Sequence, residues 1–191
     1  TAILNMIKET SGDSYEEARS LEQHLTFNKA ADFFEKRKIE FGKTQMRTLH
    51  LIGDDDMYTN LAFLLSEQCT HMIKLAVFEG SKKSIFKDRR ELSGSLLEQM
   101  EEAFNYIDCY NRTRAEFSGL DRLDMRDYPP EAIREALLNA IVHRDYSFSG
   151  ATLISIFEDR IEFVTIGGLV KGITLDDVKL GISVLRNQHL A

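Results

Sequence analysis

An α+β fold, with helices layered on a sheet, is predicted by three observations on this 191-residue chain. Helical apolar spacing and strand-like composition occur in the order helices, strand pair, helix, helix, strands, rather than in strict alternation. Hydrophobic residues make up 43% and charged residues 29%, the profile of a soluble globular protein with one sizeable core or two small ones. No apolar run approaches the roughly 18 residues that a membrane helix needs.

The first forty residues read as helical. "SYEE" at 14–17 has the Ser-x-x-Glu spacing of a capping box, in which the two side chains satisfy free amides at a helix start. A second helix start falls near Thr26, with Phe33 and Phe34 as its apolar bulk, and Gly42 breaks it. "DDDMYTN" at 54–60 reads as a polar loop before the short apolar segment "LAFLL". "MIKLAVFEG" and "SIFKDRREL" have strand composition and flank a turn containing Gly80 and Ser81. From Ser95 a helix is predicted, with Ser95 and Glu98 as a second capping box and Leu96, Met100, Ala103 and Ile107 as its apolar stripe.

Pro129 and Pro130 precede "EAIREALLNAIV", where a first helical turn tolerates proline because its missing N–H would have no partner there. After Gly150 come two strands, "ATLISIFE" and "RIEFVTI", joined tightly through Asp159. "GGLVKG" then reads as a glycine-rich loop, and "TLDD" at 174–177 as a further helix start. By organisation the chain divides into a helical linker at 1–43, a mixed α/β segment at 44–120, and a third part at 121–191 against which that segment packs.

Charge and cysteine content narrow the function. A net charge of −7 at pH 7 argues against this chain alone gripping a phosphate backbone. The basic cluster Lys82, Lys83, Lys87, Arg89 and Arg90 reads as a solvated hairpin face rather than a DNA contact. Cys69 and Cys109 show no zinc-type spacing and read as small core fillers in a reduced, cytoplasmic protein. Asp54 to Asp56 fit no calcium-loop spacing. No secretory leader is legible, and the Thr start and "LRNQHLA" end read as a piece of a longer chain.

The stretch that carries chemistry is "EALLNAIVHRDY", 135–146. Glu135, Asn139 and His143 lie four residues apart and rise along one helical stripe, opposite Ile133, Leu137, Ala140 and Ile141. Asn is a poor choice inside a helix unless its side chain is used. A carboxamide oxygen is a hard neutral ligand suited to Mg²⁺, and a carboxylate one turn earlier can orient or deprotonate water. Glycines such as Gly167 and Gly168 let backbone N–H groups approach phosphate. The bland reading is a solvated stripe with an incidental Asn, a basic helix end and an ordinary turn.

"YPPEAIREALLNAIVHRDYS", "DRIEFVTIGGLVKGIT" and "LRNQHLA" together resemble the ATPase domain of bacterial RecG-helicase-related transcriptional regulators, a divergent branch of the GHKL superfamily of gyrase, Hsp90, histidine kinases and MutL. The resemblance covers 121–191, and "SLEQHLTF", "YTNLAFLLSEQ" and "SGSLLEQMEEA" are similar to the upstream segment of such proteins. It implies a Bergerat-type α/β sandwich, C-terminally truncated, that binds ATP and Mg²⁺. It also implies DNA contact through a Schlafen-type AlbA domain and a winged helix outside this chain, and allows a homo-oligomer.

Carried over by residue, Asn139 falls on the metal-ligating asparagine and Glu135 on the catalytic glutamate. His143 and Arg144 fall where a basic residue faces phosphates, and Gly167 and Gly168 fall in the first glycine box. Here the sequence departs from the superfamily: Thr165 stands where an Asp reads the adenine amino group, and Leu169 where the last glycine belongs. No P-loop spacing occurs, so nothing supports a helicase. A degenerate scaffold or oligomerisation module of such a regulator is the competing expectation.

Overall fold

A computed structural model describes residues 15–118, 121–170 and 172–191 of the chain. The predicted α+β class is what it contains: six helices and six strands among the described residues. They run α1 (Asn28–Glu35), α2 (Lys43–Thr48), α3 (Asn60–Leu65), β1 (Ile73–Phe78), β2 (Phe86–Leu92), α4 (Leu96–Tyr110), β3 (Thr113–Ser118), β4 (Asp121–Arg126), α5 (Pro130–Val142), β5 (Thr152–Ile156), β6 (Ile161–Val164) and α6 (Leu175–Lys179). No helix among the described residues is long and apolar enough to cross a membrane.

One mixed sheet has the order β2-β1-β5-β6, and β3 and β4 form a separate two-stranded ribbon. β1 and β2 are antiparallel through the predicted Gly80 turn, as are β5 and β6 through Asp159. The central pair, β1 and β5, is parallel, with Ile73 opposite Thr152, Leu75 opposite Ile154 and Val77 opposite Ile156. Strand side chains alternate between faces, so this register puts all six residues on one side of the sheet. All six are buried. The boundary expected at 120/121 is therefore crossed by the sheet, since β1 from the first stretch pairs with β5 from the second.

α4 and α5 complete that core. Leu96, Ala103 and Ile107 of α4 and Ile133, Leu137 and Ile141 of α5 join the inward strand residues in one cluster, with Met100 partly buried against it. A second cluster, Leu51, Leu61, Ala62 and Leu65, sits among the N-terminal helices with Phe27, Phe41 and Met46 around it.

Several local expectations are corrected. Ser14 of the first capping box lies outside the described residues, and Tyr15–Glu17 form a turn rather than a helix start. The Ser95/Glu98 box does not close: the Ser95 hydroxyl is buried without a partner, and the Glu98 carboxylate, which would reach back to the Ser95 N–H, is taken by Lys29 on α1 at 2.5 Å. The caps that do form are Thr59, which accepts from the Ala62 N–H, and Thr174, which closes a full box with Asp177. The ribbon β3–β4 has no counterpart in the sequence expectations, because neither strand carries an apolar run. Cys69 is buried as expected, whereas Cys109 is exposed. The basic hairpin face is partly neutralised, with Lys83 on Glu162, Lys87 on Glu158 and Arg90 on Glu102.

Candidate functional site

α5 is positioned by proline at its first turn and by its apolar face on the sheet. Pro129 is the N-cap and Pro130 the first helical residue, where fixed φ suits the helix and no N–H is lost. Because Ile133, Leu137 and Ile141 are held in the core, Glu135 and Asn139 must point outward, and both are exposed. They meet: the Asn139 carboxamide donates to Glu135 Oε1 at 3.1 Å. That bond orients the amide, leaving Asn139 Oδ1 turned to solvent as an acceptor.

The glycine loop after β6 comes to the far end of the same helix. The Asp145 N–H donates to Ile166 O at 2.7 Å, which fastens the loop to the residue beyond the helix terminus. A Cβ on Gly167 would stand 3.1 Å from His143 O and 3.3 Å from Asp145 N, so only glycine fits this approach, and its φ of 151° points the same way. Gly168 is free of such contacts. His143 is the C-cap of α5 and is half-buried. From Glu135 to His143 the helix advances about 12 Å, so the exposed pair and the glycine loop lie about two turns apart along one helix.

One predicted residue turns inward. Arg144 does not share the exposed face of Glu135 and Asn139. It is 1% exposed and turned inward, donating to Thr152 Oγ1 at 3.3 Å, to Met72 O at 3.4 Å and to the Gly150 carbonyl. Its guanidinium also meets His71 Nδ1 at 3.2 Å and lies over the Tyr146 ring, while its Nε has no partner. The physical reason is helical phase: residue 144 falls on the side of Ala140 and Ile141, and four acceptors there compensate a desolvated cation. Burial, with the Arg144 charge adding to it, pushes the His71 imidazole down to about 4. Thr165 is partly buried, its hydroxyl 3.4 Å from that of Thr152.

The residues that hold this region in place include several that sequence reasoning missed. Asn187, 1% exposed, donates its side-chain amide to Val142 O at 2.9 Å and Arg144 O at 2.8 Å, capping carbonyls that a helix end leaves unpaired. Arg186 donates to Gly168 O at 2.9 Å and approaches Asp145 Oδ2 at 3.4 Å. Their one signal is their place inside "LRNQHLA", a stretch without periodicity. Among the described residues no group of three or more His, Cys, Asp or Glu side chains could hold a metal. A cation at the Glu135–Asn139 pair would therefore take one or two protein ligands and fill its shell from a bound anion or water. A cavity of about 500 Å³ lies away from α5, between Phe41, Met46, Met57 and Tyr58, with the Lys43–Asp56 ion pair at its rim.

No protein family matches the chain, and no curated protein does. Among solved structures the chain is similar to the DIP2311 protein from Corynebacterium diphtheriae, with a TM-score of 0.79 at 19% identity over 97% of this chain. The two share a fold. This chain spans 39% of the length of that protein.

Proposed function

We propose that the chain is the nucleotide-responsive part of a RecG-related, DNA-binding transcriptional regulator, with a GHKL-type α/β sandwich that takes ATP and Mg²⁺. The observation that carries this reading is the exposed Glu135–Asn139 pair, hydrogen-bonded across one turn, on the same helix whose far end receives Gly167. The donor set fits the group: Asn139 Oδ1 is an outward, neutral oxygen, and Glu135 is a carboxylate one turn away. Mg²⁺ would supply charge neutralisation for a triphosphate. Asn139 would hold it, Glu135 would orient or deprotonate water, and the Gly167–Gly168 loop, with His143 beside it, would meet the phosphates. DNA would be contacted by parts outside this chain, a reading that its net charge of −7 supports.

A second reading, a degenerate scaffold or oligomerisation module, is favoured by Thr165. Its hydroxyl stands against Thr152 where an adenine-reading carboxylate belongs. Calorimetric titration of the intact protein with Mg·ATP separates the two. Under the nucleotide reading Asn139→Ala weakens binding itself, while Glu135→Gln leaves binding and slows hydrolysis ~10²–10⁴-fold. Absence of binding heat in the parent, with both variants indistinguishable from it, leaves the scaffold.

A further inference from the structure

Residues 186–190 bridge the C-terminal end of α5 and the segment around Glu16. At one end Arg186 holds Gly168 O and Asp145, and Asn187 holds the last carbonyls of α5. At the other, the backbone N–H groups of His189 and Leu190 both donate to the Glu16 carboxylate, at 2.9 and 3.2 Å. Glu16 is 1% exposed, so this is a buried carboxylate satisfied chiefly by those two amides. His189 also meets Glu17 at 3.0 Å and stacks on His50, with ring centroids 4.2 Å apart. Leu190 packs against both hydrophobic clusters. The Glu16 segment is in turn fixed to α3, whose first amides, Asn60 and Leu61, donate to Ala18 O and Glu16 O.

We infer that residues 186–190 are a strap that regulates the candidate site by coupling the glycine loop and the end of α5 to residues 15–20; the nature of the regulating ligand rests on the nucleotide reading above. The physical link is competition. Turning the Gly167 N–H toward a phosphate rotates the Ile166–Gly167 peptide, whose carbonyl holds the Asp145 N–H, and Arg186 holds both the Asp145 carboxylate and the Gly168 carbonyl. Arg186 is adjacent to Asn187, and three residues on are the amides that neutralise Glu16. Coupling of this kind is reciprocal, so disturbing either end must be felt at the other.

Hydrogen exchange on the intact protein tests it. Glu16→Gln, which keeps shape but removes the charge that the His189 and Leu190 amides hold, is expected to speed exchange of the Asp145 amide, bonded to Ile166 O, and of the α5 last-turn amides about tenfold, and by more than Tyr15→Leu, which removes the direct stacking of that segment on Tyr146. Asn187→Ala is expected to do the same to the Asn60 and Leu61 amides, bonded to residues 18 and 16. Ile107→Val, chosen in the core, serves as a control for general loss of stability. If far-end exchange in both strap variants stays within twofold of that control while the near end loosens, the strap is overturned. Should Asn187→Ala fail to fold, Arg186→Lys, which keeps charge but loses the fork, reads the same amides. In a parallel arm, Mg·ATP is expected to change exchange at both ends of the parent and only at the candidate site in the strap variants. A parent without any melting shift on Mg·ATP removes the nucleotide as regulator, and the mutational comparison alone then decides the strap.

Discussion

Replacing Gly167 with alanine should cost far more than the same change one residue on. Gly167 has a φ of 151°, and its added Cβ would meet two backbone atoms, His143 O at 3.1 Å and Asp145 N at 3.3 Å. Backbone strain at such a conformation is ~1–3 kcal/mol, and crowding against atoms that cannot swing aside adds ~1–3 kcal/mol. Alanine returns about 0.4–1 kcal/mol by restricting the unfolded chain. The expected net loss is ~2–4 kcal/mol, or roughly 5–15 °C in melting temperature for a chain of this size. Gly168 has nothing within 4 Å of its built Cβ and no positive φ, so Gly168→Ala should fall within ~0.5 kcal/mol of neutral or slightly above it. Urea unfolding of both variants reads the difference. A Gly167→Ala protein within ~1 kcal/mol of Gly168→Ala would refute the close approach of loop to helix, and with it the placing of both in one site.

Acidification should expose the cost of keeping His71 neutral. Its folded value lies near 4 against 6.5 in the reference state, so the unfolded chain binds the extra proton between those limits and stability falls as pH drops through that window. The loss should reach about 2 kcal/mol by pH 5, and His71→Gln should flatten the stability–pH curve there. A variant slope equal to the parent's assigns the loss to other groups. Arg144→Ala leaves Gly150 O without its side-chain donor and takes one donor each from Met72 O and Thr152 Oγ1, and should destabilise by ~3 kcal/mol or more. Arg144→Met, which restores volume but no donor, should recover only part of this; full recovery in urea melts would mean that the hydrogen bonds contribute little.

What can be read from the chain divides along physical lines. α5, β5, β6 and the Thr174 cap are legible because each rests on local chemistry: prolines at a first turn, β-branched runs, a Thr with Asp three residues on. The outward pair Glu135 and Asn139 follows from the same periodicity. Arg144 eludes such reasoning because a basic residue at a helix end is usually solvated, and nothing local announces Met72 O, 72 residues away in sequence. Glu16 reads as part of a helix start, whereas its carboxylate is taken by amides more than 170 residues distant, a long-range use with no local mark. Strands β3 and β4 escape because a solvated ribbon needs no apolar run.

The parallel pairing of β1 with β5 has a consequence for how the protein is made. β2 comes soon after β1 in the chain and can pair with it shortly after both leave the ribosome. The other edge of β1 must wait for Thr152–Ile156, about 80 residues later, which at 5–20 residues per second leaves the Ile73, Leu75 and Val77 strand open for roughly 4–16 s. During that interval the nascent chain presents an unpaired apolar edge, and only α4 and the earlier residues Leu64 and Cys69 of the same cluster are available to shield its inner face before α5 is made. Slower decoding between residues 110 and 150 lengthens this exposure, and yield in the cell then depends on translation speed and chaperone supply as much as on the equilibrium stability of the finished protein.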